Sequence, residues 1–94
     1  MGKAEYKVEG GKLVKVQLSK KDRRIQNVKI TGDFFLHPEV LIERLEKALS
    51  GQYLDEKNIA SFIAILLRKE KATLLGASPE DFARCIMMAG EQDG

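Results

Sequence analysis

The first third of the chain alternates, and that alternation constrains the fold more than any other feature. Lys3-Ala4-Glu5-Tyr6-Lys7-Val8-Glu9 puts Ala4, Tyr6 and Val8 on one side and charged residues on the other. This is the period-two pattern of a strand with one buried face. Lys12 to Ser19 repeats it with Val14, Val16 and Leu18 inward, although Leu13 is out of phase. Ile25 to Gly32 repeats it again, with Val28 and Ile30 inward. Three such runs with short connections predict an antiparallel meander that buries one face.

Gly10-Gly11 breaks the first run, and the faces select its loop. A two-residue Gly10-Gly11 loop would oppose Tyr6 to Lys15 and send the two apolar sets to opposite sides. A three-residue loop, Gly10-Gly11-Lys12, pairs Val8 with Val14, Tyr6 with Val16 and Ala4 with Leu18. Since a one-residue slip inverts a face, the longer loop is expected, with a glycine in the left-handed region. Lys20-Lys21-Asp22-Arg23-Arg24 is expected to form a charged turn before the third strand.

The buried face needs a cover, and helical spacing follows. Pro38 suits the first position of a helix. Leu41, Ile42, Leu45, Ala48 and Leu49 then recur on one side, and Ser50-Gly51 ends the run. Asp55 is placed to cap a second helix carrying Ile59, Phe62, Ile63, Leu66 and Leu67. Ser78-Pro79-Glu80-Asp81 is a helix start with carboxylates where the dipole favours them. Phe82, Ala83, Ile86, Met87 and Ala89 give that helix its apolar side, Gly90 is expected to stop it, and Glu91 to Gly94 to fray. The expected fold is α+β: a three-stranded antiparallel meander with three helices packed on one face, in the order βββααα, as one domain over residues 1–94.

Composition agrees with a globular intracellular domain. The 94 residues are 44% hydrophobic and 32% charged, with a net charge of +2, too small by itself to imply a polyanionic partner. The longest apolar run, Phe62 to Leu67, is far shorter than a membrane span. The alternation begins directly after Met1-Gly2, with no signal-peptide pattern. A single cysteine, Cys85, excludes an internal disulfide and fits a reducing cytoplasm.

The chemical inventory is thin. Asp33, His37 and Glu39 are the only close trio of potential metal ligands, and Pro38 separates two of them; His37 reads as a cap or a solvent-facing turn residue. Cys85 stands at helical spacing among apolar residues and reads as a small buried hydrophobe. No catalytic constellation, nucleophile elbow or phosphate loop is present. The basic turn at residues 20–24 could touch phosphates, but the chain lacks interleaved exposed aromatics to stack bases.

Two stretches carry more. At Gly10-Gly11-Lys12 the glycines meet a backbone need, or they let a partner or anionic ligand approach beside Lys12 and Lys15. In Gly32-Asp33-Phe34-Phe35-Leu36-His37-Pro38-Glu39, Phe34 keeps the phase of Val28 and Ile30 and is expected in the core. Phe35 then points the other way. Either both phenylalanines are buried, or an exposed Phe35 beside Asp33 serves as an aromatic anchor at an interface.

The same residues bring a family into view. "GGKLVKV", then "RIQNVKITGDFFLHPE", "LIERLEKALSG" and "LLGASPEDFARCI" closely resemble the accessory (C-terminal) domain of lipoate–protein ligases, across essentially the whole chain. The most specific part is "TGDFF" after an I-x-x-V-x-I strand. The resemblance implies a role without chemistry of its own. Such ligases activate lipoate with ATP and Mg to lipoyl-AMP, then transfer the acyl group to a lysine of a lipoyl domain or of the glycine-cleavage H protein. The large catalytic domain holds ATP, Mg and lipoate; the accessory domain supports adenylation and moves during the cycle. In some prokaryotes, archaea included, it is a separate small subunit, and a domain of a longer ligase would read the same way. On this resemblance Gly10, Gly11, Lys12, Asp33, Phe34, Phe35 and His37 are the expected partner-binding residues, with the large catalytic subunit as partner, and Lys12 reaching an ATP phosphate is left open. No nucleic acid or membrane partner is expected.

The family is similar in fold to iron–sulfur scaffold and sulfur-acceptor proteins, which makes that class the rival reading. Those proteins place a cysteine after the third strand and more along the helices. Here the turn reads Gly32-Asp33-Phe34 and Cys85 is alone, whereas thiolate ligation of a cluster needs several cysteines. A nucleic-acid adaptor built on the basic turn, and a free-standing enzyme, are the remaining alternatives.

Overall fold

The computed structural model describes residues 1–92. Three strands, β1 (Gly2–Lys7), β2 (Leu13–Lys21) and β3 (Arg24–Gly32), form an antiparallel sheet with β2 in the middle. A short strand β4 (Phe35–His37) leads to α1 (Leu41–Leu49) and α2 (Glu56–Lys69); β5 (Thr73–Leu75) precedes α3 (Pro79–Gln92).

This corrects the βββααα expectation. β4 and β5 pair with each other as a separate antiparallel ribbon, Phe35 opposite Leu75, Leu36 opposite Leu74 and His37 opposite Thr73. Strands of three residues are too short for alternation to reveal, and their partners are distant in sequence. The helices are also not three equal covers. α3 lies on β1 and β2, α1 lies on β3, and α2 packs against α3 and α1. The broad α+β class stands.

The hairpin register is shifted by two residues from the expected one. Tyr6 faces Val14, Ala4 faces Val16 and Gly2 faces Leu18. The Val8 amide donates to the Lys12 carbonyl at 2.7 Å, so the loop is Glu9-Gly10-Gly11, still three residues but set back by one. A shift of two leaves every side chain on its expected face, so alternation could not choose between the registers. Gly10 and Gly11 both have φ near +100°, where a side chain is strained.

The second connection is tighter than a five-residue charged turn. Lys21 pairs with Arg24, leaving Asp22-Arg23 as a two-residue loop with φ of 54° and 63°. Positive φ at both central positions is the type I′ arrangement that matches strand twist. A bulge between Ser19 and Lys20 on one side and Asn27 and Ile25 on the other leaves Gln26 unpaired. It restores Ile25 to the core face, where it is buried, against the simple alternation set by Val28 and Ile30.

The core lies between the sheet and the helices. Val14, Val16, Leu18, Ile25 and Ile30 meet Leu41, Leu45 and Leu49 of α1 and Phe82, Ala83 and Ile86 of α3, with Ile59, Ile63 and Leu67 of α2 behind. Each fully buried aliphatic side chain contributes on the order of 2 kcal/mol. Among the described residues no polar or charged side chain is buried.

Helix starts follow the sequence signals in two cases of three. The Asp55 carboxylate accepts from the Lys57 amide at 3.2 Å and caps α2. The Ser78 hydroxyl accepts from the Asp81 amide at 3.2 Å, while the Asp81 carboxylate accepts from the Ser78 amide at 2.9 Å, a reciprocal capping box. Pro38, however, is not the first residue of α1. Its carbonyl accepts from Leu41 at 3.0 Å in a turn that precedes the helix. Nor does Gly90 stop α3. The helix continues to Gln92, because Gly90 is an interior position over which Leu54 packs. Of the tail expected to fray, Glu91 and Gln92 are helical; Asp93 and Gly94 lie outside the described residues.

A candidate docking surface

The junction of β3 and β4 ties the hairpin to the ribbon. Asp33 makes two bonds to Leu13 at the start of β2: its amide donates to the Leu13 carbonyl at 3.1 Å, and its carboxylate accepts from the Leu13 amide. Side chain and backbone together extend the β2–β3 ladder by one step past Gly32. Gly32 must be glycine, since φ is +151° and a Cβ there would overlap the Leu13 carbonyl oxygen.

Beyond this junction the two phenylalanines separate. Phe34 is half-buried and meets Phe82 edge-on, with ring centroids 4.9 Å apart at 74°. Phe35 is 51% exposed. Leu36, which follows them, is buried. Of the two readings of this pair, the structure gives the split one: Phe34 braces α3 and Phe35 faces solvent.

The ribbon extends that exposed face. Phe35 and its cross-strand neighbour Leu75, 59% exposed, share the outer side, while Leu36 and Leu74 turn toward the core. His37 lies on the same outer side and stacks parallel to the Phe35 ring, with centroids 6.2 Å apart. On the other side of the junction, the stem of Lys12 lies over Gly76, close enough that a Cβ at Gly76 would come within 2.9 Å of it. The Phe34 Cα would lie 3.5 Å from the same Cβ. Lys12 and Phe34 are therefore brought together at Gly76, with Asp33 bonded to the neighbouring Leu13, Gly10 and Gly11 at the adjacent exposed loop, and Phe35 and His37 on the ribbon next to it. Leu75, Thr73 and Gly76 are members of this end of the molecule that the sequence reading passed over. Their only signal was a short apolar pair before a glycine, too little to mark a strand.

The other candidates dissolve into structure. Asp33 is bonded to Leu13, and among the described residues no group of three or more His, Cys, Asp or Glu could hold a metal ion. Cys85 is buried, with its sulfur 3.5 Å from the Val14 carbonyl oxygen and 3.6 Å from that of Ala4. Burial pushes its thiol up to about 11, so it stays protonated and unreactive at neutral pH. Arg24 of the basic turn lies over the Tyr53 ring at 4.0 Å and donates to the Gly51 carbonyl at 2.9 Å, closing the loop after α1 onto the hairpin. No helix is long and apolar enough to cross a membrane among the described residues.

Residues 3–86 match the family model of the bacterial lipoate protein ligase C-terminus. The chain belongs to this family. Within it, the chain is similar to subunit 2 of lipoate-protein ligase A from Thermoplasma acidophilum, 34% identical over 76 residues that span 79% of this chain and 76% of the relative. A solved structure gives the same answer in three dimensions. It describes an archaeal lipoylation system, a bipartite lipoate protein ligase and its E2 lipoyl domain from Thermoplasma acidophilum. One chain of it superposes with a TM-score of 0.76 at 31% identity, covering 89% of this chain and 91% of that one. The family resemblance carried by "TGDFF" and the Gly-Gly hairpin is thus borne out, and the iron–sulfur scaffold reading falls away.

Proposed function

We propose that this chain is the small, non-catalytic subunit of a two-subunit lipoate–protein ligase. It binds the large catalytic subunit and supports ATP-dependent conversion of lipoate to lipoyl-AMP, from which the acyl group passes to a lysine of an acceptor protein. ATP, Mg and lipoate are held by the catalytic subunit. The reading is supported by membership of the ligase C-terminal family together with one structural observation: the apolar pair Phe35–Leu75 stands in solvent on a braced ribbon. Isolated apolar residues at a surface are ordinary, but two large ones side by side on a two-stranded ribbon form a ready anchor.

Gly10, Gly11, Lys12, Asp33, Phe34, Phe35 and His37 divide by role in this proposal. Phe35 and His37, with Leu75, make the contact. Lys12 and the glycine loop flank it. Asp33 and Phe34 hold the contact residues in place through Leu13 and Phe82. Docking stabilises the arrangement of the partner that organises its substrates, so contact energy here appears as adenylation rate there.

The test is co-purification with a cognate catalytic subunit and measurement of lipoyl-AMP formation with and without this chain. Association and a rate gain that Phe35→Ala diminishes are the expected results. Association and rate that are indifferent to Phe35 and Leu75 would remove the ribbon from the interface.

A further inference from the structure

The helices cover one side of the β1–β3 sheet and leave the other open. On that open side the cross-strand rows run Lys7 to Leu13, Glu5 to Lys15 to Thr31, and Lys3 to Gln17 to Lys29, with Lys21 beyond the bulge. Lys3, Lys7, Lys15, Lys21, Arg24 and Lys29 are all exposed, with Glu5 and, at the Leu13 end, Asp33 as carboxylates among them. Glu5 and the Lys15 ammonium stand 3.9 Å apart with both side chains more than half exposed, a weak pair that leaves the face cationic. The charge is segregated: most Asp and Glu residues of the chain fall after Asp33, in the helical half. A net charge of +2 conceals this.

Lysines on an edge strand discourage strand-to-strand aggregation, which accounts for Lys3 and Lys7 on β1 and Lys29 on β3. It does not account for Lys15 on the central strand. Apart from half-buried Leu13, the strand positions of this face carry no apolar side chain, and the aromatic ring beside them, Tyr53 opposite Arg24, already has the Arg24 guanidinium over it at 4.0 Å. A flat, cationic, apolar-poor face gives fast, salt-sensitive association with little residence time. A permanent subunit does not need that; a protein substrate that must leave after each turnover does.

We infer that the open face of the β1–β3 sheet is an electrostatic landing surface for an acidic face of the protein that receives the lipoyl group. This rests on the ligase reading above. The ribbon of Phe35 and Leu75 engages the catalytic subunit, and the lysine face steers the acceptor toward the charged intermediate.

The experiment uses the assembled two-subunit ligase with an E2 lipoyl domain as acceptor. Two readouts are followed: lipoyl-AMP formation without acceptor, and acceptor KM at low and moderate salt. The variants are Lys15→Gln/Lys29→Gln and the stronger Lys15→Glu/Lys29→Glu, with thermal melts checking that each folds. The expected result is an unchanged adenylation rate with an acceptor KM raised about 10-fold and a flatter salt dependence. An unchanged KM in both variants overturns the inference. So does a joint loss of adenylation and of subunit association, which would give the face to the catalytic subunit, or salt-sensitive binding of an RNA probe with acceptor KM unmoved. Failure of the functional reading itself is distinct: it appears in the wild-type protein as no adenylation gain before any lysine is changed.

Discussion

Asp33 and Leu13 hold each other by two hydrogen bonds, one through the Asp33 amide and one through its carboxylate. The residue that reads as an acidic partner to an exposed phenylalanine is therefore occupied within the chain, and it fixes the exit of β3 on the start of β2. Asp33→Ala should lower stability by about 1–2 kcal/mol, the scale of a charge-assisted bond at an accessible site. Asp33→Asn, which keeps an acceptor oxygen, should recover much of that. Denaturant unfolding of the two variants measures it; equal losses would show that the side-chain bond contributes nothing.

The two adjacent phenylalanines should behave in opposite ways. Phe34 rests on Phe82, so Phe34→Ala should cost about 2–3 kcal/mol of stability. Phe35→Ala and Leu75→Ala should leave the melting behaviour nearly unchanged but weaken binding to the catalytic subunit 10-fold or more, the cost of removing an anchor of about 1.4 kcal/mol or larger. Calorimetric titration beside thermal melts separates the two effects.

Gly32→Ala tests the junction by sterics alone. With φ at +151° and the Leu13 carbonyl in the way, the backbone must move, and a loss of at least about 2 kcal/mol is expected. Gly10→Ala faces open space and bears only the strain of its φ, so it should cost less. Urea midpoints rank the pair, and the reverse order would contradict the close approach at Gly32.

Cys85 predicts a pH dependence. Its thiol lies at about 11 in the folded chain against an ordinary value of 9.0, so folding favours the protonated form. Below pH 9 both states keep the proton and the thiol adds no slope. As pH rises from about 9 to 11 the unfolded chain ionises first, and stability falls, by on the order of 2 kcal/mol across the window. Cys85→Ala should remove that component of the alkaline decline, and the native thiol should resist a thiol-specific reagent at neutral pH.

Much of this arrangement was legible in the residues, for physical reasons that also mark where legibility stopped. Alternation over Lys3–Glu9, Lys12–Ser19 and Ile25–Gly32 exposes three strands because one face must be apolar. It is blind to a two-residue register shift, which preserves faces, and to the bulge at Gln26, which returns Ile25 to the core. Asp55 and Ser78 declare their helices because capping needs specific side chains. Pro38 and Gly90 mislead because either residue serves equally outside the role its type favours: Pro38 precedes the helix, and Gly90 accommodates Leu54. The β4–β5 ribbon was invisible, since three-residue strands carry no period and their pairing joins segments far apart. With the ribbon went Leu75, the cross-strand neighbour of Phe35 and half of the apolar contact.

The most direct test of the account is lipoyl-AMP formation by a cognate catalytic subunit titrated with this chain. The account predicts no adenylate from this chain alone, a saturable gain in rate when it is added to the catalytic subunit, and a rightward shift of that titration for Phe35→Ala/Leu75→Ala. A catalytic subunit whose rate is the same at every concentration of this chain would contradict it.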